Sequence, residues 1–373
     1  MSRPGPEASG HGLQGAARLL FGALPDPRRV RIMVTLDQAA PHPDDLRALL
    51  EAGVNAVRVV TTFGEPATWQ AALDAVRWAA VDAGRPCALV VALPDGRPHV
   101  RAVHWLGTLE RRLHVREHLA IGLPPRSGPR PRAVVSATDA RLAARLEVGA
   151  EVRIGSGRLR ALVQSRREDG ALLRVVAAVP DGEELHAGQL ISGPGLEPDA
   201  AASSERGRSA LALATREADA VELACPAPSA DAASALAALR RLAPDRTPPP
   251  VVLRTESLEA TRCAAELASA TGPLRPTGIL IDESQVARAL GVVAAAALQA
   301  RATEACHTAG IPVIARWLPT AAASGVAVAD TTAVSPMPQP SCVLLPQRSD
   351  SLEAVRRLDA WLRHTAPASD RGV

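Results

Sequence analysis

Apolar strand patterns alternate with helix patterns along most of this chain, and that rhythm restricts the fold more than any single residue does. Val30–Leu36, Ala56–Val60 and Cys87–Leu93 read as strands. Helix patterns separate them: Pro43–Ala52 has Asp44 and Asp45 in its first turn and Gly53 at its stop, and Ala67–Ala83 sets Trp69, Leu73, Val76 and Ala80 on one face. The rhythm breaks between Asp95 and Gly195. There "AEVRIG", "RLRALVQS" and "LLRVVAAV" alternate at period two between Gly, Asp and Pro, which predicts a small β domain. It resumes with helix Glu205–Arg216 and strand Ala220–Ala224, then helix Asp231–Leu242, strand Val251–Leu253, helix Leu258–Ala268 and strand Gly278–Ile281. Helix Val286–Ala309, strands Pro312–Ala315 and Cys342–Leu345, and helix Leu352–His364 finish the chain.

Eight strands, nearly all followed by a helix, in about 240 residues outside the break predict a (β/α)₈ barrel with a β domain inserted after its third strand. A doubly wound open sheet is the other arrangement compatible with the pattern. The expected division is a Gly/Pro/Arg-rich disordered tail over 1–28, the barrel over 29–94 and 200–365, the insertion over 95–199 and a second tail over 366–373. In such a barrel functional groups sit at the C-terminal ends of the strands.

Composition excludes several classes of function. All the basic side chains are arginines and the chain has no lysine, so mechanisms that need a lysine are ruled out. A net charge of +3 spread along the chain, with two phenylalanines and five tryptophans, gives neither a nucleic-acid footprint nor a stacking platform. No run of about 18 apolar residues and no charged-then-apolar leader are present, so neither a membrane span nor a signal peptide is expected, and the expected compartment is the cytoplasm. The five cysteines, Cys87, Cys225, Cys263, Cys306 and Cys342, are scattered rather than paired, as in a reduced core.

The order of segments resembles that of the pyruvate kinase family from about Val30 to Leu362. "VRIMVTLDQAAPHPDDLRALLEAGVNAVRVV" is similar to the family's first strand, its helix and the "EAGMNVARLNFSHG" strand. "RPCALVVALPDG" resembles the third strand, "LEVGAEVRIGSGRLRALV" and "LISGPG" the inserted domain, "SSERG" the family's "SEKD", and "SLEAVRRLDAWL" the last helix. The likeness stops where the barrel stops, so the family's C-terminal effector domain is not expected.

What the resemblance implies for chemistry is uneven. Arg58 matches the arginine that holds the transferred phosphate, while the Asn, Ser and His of "NFSHG" become Val60, Thr62 and Phe63, leaving Thr62 as the one possible oxygen donor to potassium. The potassium-binding aspartate after the third strand is Ala92, and a lysine two positions on is Pro94, so the K⁺ site is expected to be lost. The family's "K-I-E" becomes Arg254, Thr255 and Glu256, which keeps the metal-binding glutamate for Mg²⁺ but puts an arginine, a poor proton donor, in place of the catalytic lysine. The second metal carboxylate aligns with Gln285, near Asp282 and Glu283, and Trp317 stands where the family relays a proton through a hydroxyl.

Each of these residues also has a plain structural explanation. Arg58 and Arg254 can be paired to carboxylates in the barrel mouth, Glu256 being one such partner open to Arg58, and Glu256 can be a helix N-terminal acid. "HVREH" (His114–His118) matches the inverted zincin pattern on a helical face, which keeps a metal hydrolase open as another class. "GSGRLR" (Gly155–Arg160) reads as a hairpin turn rather than a phosphate loop, and His104, His186 and His307 as surface residues.

The reading that results is a pyruvate-kinase-like protein without phosphoenolpyruvate/ADP phosphotransfer. It is expected to bind a small anionic ligand through Arg58, Thr62 and Arg254, or a protein partner, and to form a homo-oligomer, with no nucleic-acid or membrane partner. The alternatives are a metal-assisted lyase or aldolase acting on a 2-oxo or phosphorylated acid, and a residually active pyruvate kinase.

Overall fold

The computed structural model describes residues 6–24, 28–36, 42–107, 110–124, 126–155, 157, 159–196, 204–225, 249–255, 257–269, 277–282, 286, 290–316, 339–345 and 351–364. The chain divides into two compact units, 1–94 with 200–373, and 95–199.

The first unit is built on a closed, all-parallel barrel of eight strands. In chain order these are β1 (Arg31–Leu36), β2 (Ala56–Val60), β3 (Ala88–Ala92), β11 (Ala220–Cys225), β12 (Val251–Thr255), β13 (Thr277–Ile281), β14 (Val313–Arg316) and β15 (Cys342–Leu345). Each strand pairs with its neighbour in sequence, and β1 closes on β15 with Arg31 opposite Cys342 and Val34 opposite Leu345. This is a TIM-like barrel, and the open-sheet alternative does not hold. Side chains alternate across the barrel wall. Val57, Val59, Leu89, Val91, Val221, Leu223, Leu253, Ile279 and Val313 join the core shared with the helices, while Met33, Ala56, Val90, Ala220, Val252, Leu280 and Ile314 form a second core inside the barrel. Both faces are dry, which is why the strands read as nearly continuous apolar runs.

The helices around the barrel are α2 (Pro43–Glu51), α3 (Pro66–Asp82), α5 (Glu205–Glu217), α6 (Leu258–Arg262), α7 (Ala264–Ser269), α8 (Val292–Thr308) and α9 (Ser351–His364). In α2 the His42 side chain accepts a hydrogen bond from the Asp44 N–H, and the helix ends before Gly53 at φ 109°. A Cβ on Gly53 would lie 3.0 Å from Asp359 Oδ1 and 3.3 Å from Arg28 Nη1, so both the backbone and the packing require glycine there. In α3, Trp69, Leu73 and Val76 are buried as the pattern predicts. The single helix expected over Leu258–Ala268 is two short helices that meet at Cys263. The helix expected over Asp231–Leu242 lies outside the described residues.

The expectation of a disordered tail over 1–28 is overturned for most of its length. Pro6–Phe21 forms helix α1, and its last turns put Ala17, Leu20 and Phe21, all fully buried, against the inner barrel core. Gly278 leaves room for this end, since a Cβ there would lie 3.0 Å from Leu20 Cδ1. Arg28 is buried too: Nη2 donates to Gly53 O at 2.8 Å and to Asn55 Oδ1 at 2.6 Å, and Nη1 lies 3.0 Å from Asp359 Oδ1. Asn55 completes the network by accepting from the Ile32 N–H and donating to Ala23 O. Three glycines in α1 lower its intrinsic helicity. Burial of its C-terminal end is what holds it, and no local pattern announced that.

The second unit is one sheet in the order β10-β7-β8-β9-β5-β6-β4, with β4 Val100–Trp105, β5 His118–Gly122, β6 Ala133–Ala137, β7 Glu151–Ile154, β8 Leu159–Arg166, β9 Gly170–Ala177 and β10 Ile191–Ser192. A bridge between His99 and Leu190 joins its two ends, so the sheet is nearly a closed barrel. A short helix, α4 (Leu142–Arg145), packs on its apolar core. Ile154 pairs with Leu159, so "GSGRLR" is a hairpin turn.

Phe21→Ala is expected to destabilise the barrel unit by about 3–5 kcal/mol, seen as an earlier urea midpoint of its unfolding transition.

Candidate functional site

Period-two alternation decides what stands at the C-terminal end of the barrel interior. Above the inner apolar layer, the next inward position is Arg58 on β2, Glu222 on β11, Arg254 on β12 and Arg316 on β14, with Asp282 directly after β13. Five charged side chains from five strands therefore share one layer.

They form two groups, Arg58 and Arg254 on Glu222 and Arg316 on Asp282. Glu222 is the centre of the first: Arg58 Nε donates to Oε2 at 2.5 Å and Arg58 Nη2 to Oε1 at 2.6 Å, a two-point pairing that suits a guanidinium fork. Arg254 Nε lies 3.5 Å from the same Oε1. Arg316 Nη1 donates to Asp282 Oδ2 at 3.0 Å. The side chains of Glu222 and Arg58 are 2% and 8% exposed, that of Arg254 is 15% exposed and that of Arg316 35%. Access to solvent therefore increases from the Arg58–Glu222 pair towards Arg316. Burial alone pushes the Glu222 carboxyl up and Asp282 adds to this. The charge and hydrogen bonds of Arg58, with Arg254 behind them, outweigh both and hold it below the ordinary carboxylate range.

The loop after β2 is fixed by other contacts. Thr61 Oγ1 donates to Ala92 O at 2.8 Å, Trp69 Nε1 donates to Phe63 O, and the Arg206 guanidinium donates to Gly64 O while stacking 5.5 Å from the Trp69 ring centroid. Gly64, at φ 72°, makes the turn. Thr62 is buried within this loop at 9% exposure.

The predicted site residues are thus partly brought together. Arg58 and Arg254 converge on Glu222, so the carboxylate that pairs Arg58 is that of Glu222. Glu256, Glu283, Gln285 and Trp317 lie outside the described residues. Glu222 was missed, although a signal for it exists: "AVELA" puts one acid in a buried strand just as "AVRVV" puts one base. Two such isolated charges of opposite sign need each other.

The described carboxylates do not suit Mg²⁺. Glu222 is taken by two guanidiniums and Asp282 by a third, and among the described residues no group of three or more His, Cys, Asp or Glu could hold a metal. The zincin reading of "HVREH" is overturned. Arg116 has φ 77° and His118 begins strand β5, so the segment is not a helix. His114 pairs with Glu110 at 3.0 Å, and Glu117 accepts from the His114 N–H. His307 is half-buried, its Nε2 3.4 Å from Ser341 Oγ, and burial lowers its pKa. Cys87, Cys263, Cys306 and Cys342 are free, with burial pushing Cys87, Cys306 and Cys342 up to about 12. No helix among the described residues is long and apolar enough to cross a membrane. The chain matches no protein-family model and no curated protein sequence.

Glu222→Gln removes the charge that Arg58 and Arg254 share, and is expected to cost about 3–5 kcal/mol in urea unfolding at neutral pH. Because the folded pKa of Glu222 is lowered, its contribution is complete above the ordinary value of 4.5 and is lost as pH falls below it. The difference in stability between wild type and Glu222→Gln should therefore shrink on acidification through that range, and a constant difference would contradict the pairing.

Proposed function

We propose that this chain is a pyruvate-kinase-like protein of (β/α)₈ type, cytoplasmic, that has no phosphoenolpyruvate/ADP phosphotransfer activity and binds a small anionic ligand at the C-terminal mouth of its barrel. The observation that carries the reading is the occupation of Arg58 by Glu222. Phosphoryl transfer needs cationic groups directed at the moving phosphate, and the guanidinium that the resemblance assigns to that task is bound at two points to a carboxylate of the same chain. Among the described inward-facing residues of the mouth, three guanidiniums stand against two carboxylates. The two guanidiniums with most access to solvent are those of Arg254 and Arg316. A group with that charge attracts an anion without supplying a proton donor, since an arginine does not give up its proton near neutral pH.

With phosphoenolpyruvate, ADP, Mg²⁺ and K⁺, the purified protein is expected to form no pyruvate in an assay coupled to lactate dehydrogenase. At low ionic strength, where exposed charge is least screened, phosphate or oxalate should raise its Tm, and Arg316→Ala should weaken that binding about tenfold, or ~1.4 kcal/mol. Turnover at an ordinary kinase rate would sink the first half of the reading. A Tm indifferent to both anions would sink the second.

A further inference from the structure

We infer that the Glu222 carboxylate is a built-in counter-ion occupying a latent carboxylate-binding site, so that removing this side chain opens a position on Arg58 and Arg254 that a free small carboxylate can fill. The inference shares Arg254 with the proposed anion site but is centred on the buried fork of Arg58, and its test does not depend on anion binding at Arg316.

Three observations carry it. The first is the shape of the contact. Arg58 Nε and Nη2 meet Oε2 and Oε1 at 2.5 and 2.6 Å, the planar two-point geometry by which guanidinium groups bind free carboxylates. The second is the surrounding charge. Arg254 Nε approaches Oε1 at 3.5 Å, so the carboxylate lies between two guanidiniums, and the acid that opposes them, Asp282, is bound to Arg316. The third is burial. With both Arg58 and Glu222 almost shut off from water, truncating Glu222 leaves a desolvated cation and a space the size of the missing carboxymethyl group. Water cannot neutralise that cation, whereas a small anion can. No inward side chain other than Glu222 supplies a carboxylate to Arg58 among the described hydrogen bonds.

The arrangement also explains why Arg58 is kept from external anions in the native protein. Its site is filled from within at an effective concentration no ordinary solute reaches. Glu222 is therefore an autoinhibitory residue with respect to that position, and its loss should confer binding.

The test is chemical rescue. Glu222→Ala is expected to melt well below wild type and to regain stability with formate or acetate. At a concentration well above its Kd, the anion should raise the Tm by about 3 °C or more relative to sodium chloride of equal ionic strength. Wild type should show a smaller shift, and Arg58→Met/Glu222→Ala should lose the carboxylate-specific part, because the fork is gone. If Glu222→Ala is insoluble alone, it is refolded from urea in formate and, in parallel, in chloride, with refolded yield as the readout. Equal shifts in all three proteins, or equal yields in the two salts, would overturn the inference.

Discussion

Closing the sheet between β1 and β15 is the constraint on which the rest of the molecule depends. A closed barrel has no edge, so every backbone group of the strands is paired, and every second side chain is forced into an interior that water does not fill. Apolar residues satisfy that interior in its lower layers. A charged residue placed there by the same alternation must find its counter-charge on another strand. Arg58, Glu222, Arg254, Asp282 and Arg316 have done so, each within reach of the opposite sign.

The two ends of the barrel handle buried charge differently, and the contrast separates structure from function. At the N-terminal end Arg28 and Asn55 bond to backbone groups, Gly53 O, Ala23 O and the Ile32 N–H, so they tie the segment before β1 to the barrel floor. Removing them would leave buried backbone groups unsatisfied. At the C-terminal end the hydrogen bonds of Arg58 and Arg316 run to side chains alone. A buried ion pair of that kind adds little over well-packed apolar residues of similar volume, so stability by itself gives weak reason to hold three arginines and two acids there. The N-terminal end is where stability is built in TIM-like barrels and the C-terminal end where ligands are met, and these two networks follow that division.

Much of the fold was legible because the strands obey one rule. Strands dry on both faces read as apolar runs, and Ala56–Val60 and Cys342–Leu345 were placed to the residue. The elements that were not legible are held by contacts distant in sequence. Helix α1 has a loop-like composition and exists because Leu20 and Phe21 fit under the barrel. "HVREH" has helical spacing, yet its last residue is drawn into β5 by pairing with Arg174 on β9. The site followed the same pattern. Arg58 was conspicuous as one base in an apolar strand, but its partner lies 164 residues away across an entire inserted unit. Glu256 was weighed as its partner only because the alignment placed it at a neighbouring strand end, whereas Glu222 had no motif to single it out.

An arginine at a strand end carries a charge whose use is decided by what faces it, and the acid on β11 makes the Arg58 guanidinium half of an internal pair. Solvent access to the guanidiniums rises around the barrel, from Arg58 on β2 through Arg254 on β12 to Arg316 on β14. One acid on one strand is enough to close off the Arg58 guanidinium from solvent, because in a closed barrel all eight strands face the same small interior.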